Sequence, residues 1–193
     1  VEGRAVEDLR DRIIAETIRE AWVDATYPGD DQLAASTSCC GEYGYVAEFF
    51  RGRHWRDVTL DTLEAYPGPA NACYAFMSGE AFRFYLPAFM LIALDEPLSG
   101  PRSRWEASMV DVAVWALNPP RYRPEIHALE KGLTDNPVTS PESMAGLRTW
   151  WDARIAPLNR AQRQAILAFL ERLYQRHGFD DQAEALEYWR RAV

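Results

Sequence analysis

The run Ser78 to Leu94 (SGEAFRFYLPAFMLIAL) has to be buried, and the rest of the chain has to supply what covers it. Glu80 and Arg83 are its only charges, and three Phe and one Tyr fall within the nine positions Ala81 to Phe89. Ser78 is a good N-cap, and Glu80 lies in the first turn, where a negative charge suits the helix dipole. The pattern predicts a central helix. Pro87 has no amide hydrogen and crowds the preceding turn, so the helix is expected to kink or restart there. Its longest uncharged stretch, Phe84 to Leu94, is eleven residues, too short to span a bilayer.

A chain of 193 residues fits one domain and can bury roughly 70% of its unfolded surface. Seven Trp, nine Tyr and eight Phe are ample for a packed core. The net charge of −8 disfavours general binding to nucleic acid or to an anionic membrane, because a negative partner releases no counterions from a polyanion. The same charge suits a basic protein partner, and it is also an ordinary route to solubility. Lys131 is the single lysine among 21 cationic residues, a bias towards Arg that hints at a GC-rich bacterial source. Cys39, Cys40 and Cys73 form no disulfide framework, since the count is odd and a bridge between neighbours is strained. A reduced cytoplasm is the expected compartment.

Along the chain, Leu9, Ile13, Ile18, Ala21 and Trp22 recur at helical spacing within Val6 to Ala25. Tyr27-Pro28-Gly29-Asp30 ends that helix with turn chemistry, and residues 31 to 42 read as loop. Tyr45 to Phe50 reads as a short helix closed by Gly52, and Thr59 as the cap of another. His54 to Val58 reads as extended. Cys73 to Phe76 fits strand or helix equally well. Arg104 to Leu117 returns to helix and Asn118-Pro119-Pro120 stops it; a short helix follows between Pro124 and Gly132. Ser140-Pro141 is a start signal, Asn159 with Gln162 a capping box, and Gly178 a stop. Asp181 with Glu184 opens a last helix through Trp189. No linker divides the chain. Residues 1–193 are therefore expected to form a single, mostly α-helical domain, a bundle around the Pro-kinked helix. A small two-stranded element near 55–58 and 73–76 stays open.

Few residues suggest chemistry. Asp30 and Asp31 with Glu42 and His54 could hold a hard divalent cation or activate a water, although adjacent aspartates point apart and more often cap a turn. His54, His127 and His177 lack metal-motif spacing. Cys39 with a histidine could pair a nucleophile with a base, but nothing in the sequence lowers its pKa. No phosphate loop or nucleophile elbow is present in the sequence. Phe82, Phe84, Tyr85, Phe89, Trp150 and Trp151 read as core ahead of pocket lining. Trp55 and Trp151, among Arg-rich turns, are the candidates for aromatic interface anchors.

Three segments together carry a resemblance. Ala21 to Asp31, with its YPGDD turn, Val46 to Trp55 (VAEFFRGRHW), and Ser78 to Leu94, with AFRFYLPAF, resemble an uncharacterised bacterial family of small soluble proteins. A late helix, Gln164 to Leu173, is also similar, so the resemblance covers about residues 16 to 175. It implies no activity, cofactor or catalytic residue. Bacterial proteins of this kind are often encoded beside toxin or secretion systems, and by that analogy the resemblance implies an immunity-type role.

The reading that follows is a non-enzymatic, acidic protein-binding module, an immunity or inhibitor protein for a basic toxin or effector. Its binding residues would be Asp30, Asp31, Glu42, Trp55 and Trp151, with no cofactor. The alternatives are a metal-assisted hydrolase built on Asp30, Asp31, Glu42 and His54, and a homo-oligomeric structural component.

Overall fold

The computed structural model describes residues 2–36, 41–68, 70–95, 109–133, 139–178 and 180–193. The regular elements among them are helical. In order they are α1 (Glu2–Ala21), α2 (Gly41–Phe50), α3 (Leu60–Leu63), α4 (Ala70–Phe76), α5 (Gly79–Asp95), α6 (Met109–Leu117), α7 (Pro124–Leu133), α8 (Pro141–Ile155), α9 (Arg160–His177) and α10 (Asp180–Ala192). Two 3-10 turns, Asp30–Gln32 and Trp55–Asp57, complete them. No helix among the described residues is long and apolar enough to cross a membrane.

The expected hub is α5. It packs against α1, α6, α8 and α9, and one apolar cluster runs from Ile18 on α1 to Trp189 on α10. Ser78 opens it as expected: its hydroxyl accepts from the Ala81 amide at 3.0 Å and donates to the Gln32 carbonyl. Caps read from sequence also form at Thr59, Ser140 and Asn159, and Gly178 closes α9 in the left-handed conformation, whereas α10 starts at Asp180, before the Asp181 expected to open it. Arg104 to Ser108, expected in the same helix as Leu117, and the Cys39-Cys40 pair lie outside the described residues.

Three expectations need correction. Of the kink or restart expected at Pro87, the restart does not occur: helix α5 runs unbroken from Gly79 to Asp95. The carbonyl of Arg83, one turn before Pro87, has no amide to accept from there, and the indole Nε1 of Trp22 donates to it at 2.8 Å. A buried side chain replaces the missing helix bond, so the chain has no need to break. Second, residues 55–58 and 73–76 do not pair as strands. His54 accepts from the Arg56 amide through Nδ1 at 3.1 Å, which turns Trp55–Asp57 into a 3-10 turn. Third, residues 31 to 42 are not all loop: 31 and 32 belong to the first 3-10 turn, and α2 begins at Gly41. The one extended pairing among the described residues is the isolated antiparallel bridge Ala34–Met77, which ties the segment after the first 3-10 turn to the start of α5.

A second device recurs through the bundle. The last carbonyls of a helix have no amide partners within it, and buried ends need donors from elsewhere. Here distant side chains supply them. Tyr85 donates towards the carbonyls of Phe50 and Arg53 at 3.0 and 2.8 Å. Arg176 donates to Leu94 at 2.8 Å. Trp151 and Trp189 donate to Ala116 and Leu117 at 3.0 and 2.8 Å. On the far side, the buried Arg172 guanidinium holds α9 to α1 through the Asp11 and Glu7 carboxylates.

Candidate functional site

The segments that suggested a family meet in space. The Tyr27 hydroxyl donates to Asp30 Oδ1 at 2.6 Å and accepts from the Gly52 amide at 2.9 Å. Arg51 Nη1 lies 3.4 Å from Asp30 Oδ2. The rings of Tyr27 and His54 both stand edge-on to Phe84, at 5.6 and 5.3 Å. Gly52 presents its amide from a φ of +65°, a conformation that L side chains avoid. The Tyr27 hydroxyl, the Gly52 amide and the Arg51 charge hold the Asp30 carboxyl below its ordinary pKa. Burial, then the bond to Asp30, pushes the Tyr27 phenol above its own. This corner is a clasp between three segments.

The sequence-predicted site residues do not assemble a reaction centre there. Asp30 is held by Tyr27, Gly52 and Arg51, while Asp31 and Glu42 are exposed. His54 uses Nδ1 on the Arg56 amide. Among the described residues no group of three His, Cys, Asp or Glu could hold a metal ion. Trp55 and Trp151, expected as exposed anchors, are 1% and 3% exposed. The correction has a simple cause: Trp55 packs in the core cluster under the Arg56 guanidinium, and Trp151 faces inward to cap α6. Cys73 is buried, and burial pushes its thiol up to about 12, so it stays protonated and unreactive near neutrality. Phe82, Phe84, Tyr85 and Phe89 are core, as expected.

A different place gathers polar groups. Pro119 and Pro120 cannot extend α6, and the chain leaves in an open segment towards α7. A cleft of about 290 Å³ remains between the end of α6, α4, α8 and α10. Its apolar lining includes Met144, Leu147, Trp150 and Trp151, and Trp115, 53% exposed, stands at its mouth. Arg121 and Arg123 also line it, both paired with the half-buried Glu184 at 3.6 and 3.1 Å.

The interior of this cleft contains the unusual chemistry. Arg154 is 5% exposed, with its guanidinium between the rings of Trp150 and Phe82, 4.0 and 4.7 Å from their centroids. Nη2 donates to the Met77 carbonyl, and Nε is buried with no partner. Among the described residues no carboxylate pairs with this cation. Burial, and then the nearby Arg83 charge, pushes its pKa down to about 9, which still leaves it charged at neutral pH. Beside it the Tyr74 hydroxyl, in a fully buried side chain, has no hydrogen-bond partner, and burial raises its pKa well above the ordinary phenol value. The Asn118 Oδ1 atom, also in the lining, is buried and unpartnered too.

A model of the family of unknown function DUF6714 matches residues 13–193. The chain belongs to that family. No curated protein and no solved structure matches it. The DUF6714 match takes in both the clasp and every residue of the cleft, whereas Glu7 and Asp11, the carboxylates around Arg172, precede it. Sequence reasoning weighed Trp150 and Trp151 as pocket lining but ranked core first, and the other residues of the cleft form no motif. One signal was available: Trp150 and Arg154 are four apart, so a helix sets the guanidinium one turn along from the indole.

Proposed function

We propose that this DUF6714 protein is a binding module whose ligand enters the cleft beside Trp115 and Trp150. One observation carries the reading: three buried polar atoms without partners, Tyr74 Oη, Asn118 Oδ1 and Arg154 Nε, belong to residues that line a single apolar cleft. Each such atom costs about 1–3 kcal/mol when left unsatisfied, and folded proteins leave few of them. Among the described residues others lie at Trp55, Tyr66 and His127, but only here do three belong to residues of one lining, which is where an external partner would relieve the most. Binding is favoured over turnover because the interior groups are a phenol and a guanidinium, both protonated at neutral pH, and an amide; none is poised to exchange a proton.

The test is a thermal-shift screen of small acids, amines and neutral aromatic compounds against the native chain and Leu147→Trp, which fills the mouth. Compounds that stabilise the native chain and not the variant are expected. A screen in which no compound distinguishes the two proteins overturns the reading.

A second reading keeps a protein as partner, as an immunity or inhibitor role would require. The net charge of −8 and the exposed apolar row Ile126, Leu129 and Leu133 on α7 favour it. Co-elution of one basic protein, lost as salt rises, supports it; binding that ignores ionic strength removes its electrostatic basis.

A further inference from the structure

The orphaned atoms also specify what the cleft takes, an inference that rests on reading the cleft as a ligand site. We propose that the ligand is a small organic acid: a carboxylate on a flat apolar body that carries a hydrogen-bond donor of its own.

The carboxylate follows from Arg154. A buried guanidinium without an anion is costly, and its geometry suits a carboxylate best. Here the planar group is clamped by Phe82 and Trp150, Nη2 donates one hydrogen to the Met77 carbonyl, and the buried Nε–H has no partner. Tyr74 packs on the same Phe82 ring, with centroids 5.7 Å apart, and keeps its proton. The unpartnered Nε–H and phenol O–H are two donors, one of them charged, for the two oxygens of one carboxylate. A phosphate, more highly charged and more strongly hydrated, suits an apolar lining less well, and Arg121 and Arg123 at the rim are already paired with Glu184. The body follows from the walls: Trp150, Trp151, Met144 and Leu147 are flat or adaptable apolar surfaces. A volume near 290 Å³ lies at the small end of ligand sites and suits one or two fused rings. The donor follows from Asn118, whose Oδ1 can only accept.

The test is isothermal titration of the full chain with matched probes. Benzoate, phenylacetate, indole-3-acetate and 1-naphthaleneacetate are each compared with the corresponding neutral amide, and tryptamine and inorganic phosphate are added. At least one acid is expected to bind with one-to-one stoichiometry, about tenfold tighter than its amide. Indole-3-acetate, with a ring N–H, is expected to exceed naphthaleneacetate severalfold, and phosphate not to bind. Tyr74→Phe is expected to weaken the acid about fivefold to tenfold with no loss in melting temperature, because the hydroxyl it removes has no partner in the free protein. Arg154→Gln is expected to erase the preference for acid over amide. Equal binding of acid and amide, or tighter binding of tryptamine, overturns the acid assignment while the cleft stands as a site. If no probe of either charge binds and the Leu147→Trp screen is also empty, the cleft reading falls as well.

Discussion

Tyr85 and Tyr74 are buried phenols in the same core, and they have opposite fates. The Tyr85 hydroxyl reaches the carbonyls at the end of α2, beside the clasp where Tyr27, Asp30 and Gly52 satisfy one another. The Tyr74 hydroxyl reaches nothing, and neither does Arg154 Nε or Asn118 Oδ1 in the same cleft. The clasp contains the residues that look like motifs and uses them to close the fold. The cleft contains no motif and leaves polar groups open. Recognisable segments mark how this protein is held together, although Trp55 Nε1 in one of them is also buried without a partner; what sets the cleft apart is that three such atoms belong to residues lining one cavity.

Substitutions can break that contrast. The largest effect is expected for Trp22→Phe, which strands the Arg83 carbonyl that Pro87 cannot serve and trims a fully packed ring. A loss of about 2–4 kcal/mol in urea denaturation is expected. In a Pro87→Ala background, where an amide returns to that turn, the loss should shrink; an unchanged cost would mean that the indole bond is not what carries α5 past the proline. Tyr85→Phe should cost about 1–3 kcal/mol by leaving buried carbonyls unpaired, whereas Tyr74→Phe should lie within about 0.5 kcal/mol of the native protein or above it. Equal losses for the two phenols would erase the distinction between the regions.

Gly52→Ala comes next, at about 1–2 kcal/mol. A Cβ there would meet no atom within 4 Å, so the whole cost is the backbone at φ +65°. The smallest effect is the pH dependence of Asp30. Its carboxyl titrates lower in the folded protein than the ordinary 3.8, so its stabilisation is present above that pH and lost as pH falls through the folded value. Melting curves between pH 6 and pH 2 should converge for the native protein and Asp30→Asn at the acid end. A constant gap would show that the clasp does not depend on the charge.

How much of this was legible depends on the distance over which each signal acts. Helix caps are encoded within four residues, and Thr59, Ser140, Asn159 and Gly178 could be read directly because their partners are local. The composition of Ser78 to Leu94 was enough to make α5 the hub, since a helix apolar on every side has to be surrounded. His54 to Val58 misled because five residues are too few to show a period, and the imidazole cap that bends the segment is invisible to periodicity.

The site was hidden for a different reason. Trp151 and Trp55 carry the same aromatic signal whether they face a partner or the core, and packing alone decided that both turn inward. The orphaned atoms of Tyr74, Asn118 and Arg154 come from three stretches of chain separated by dozens of residues, and their lack of partners is a property of the packed chain. The sequence by itself determined the class of fold, its central helix and its local caps, because those rest on composition and on short-range bonds. Tertiary structure decided which carbonyls the tryptophans serve and where polar groups stay unsatisfied, because hydrogen-bond satisfaction is counted only after every side chain has its neighbours.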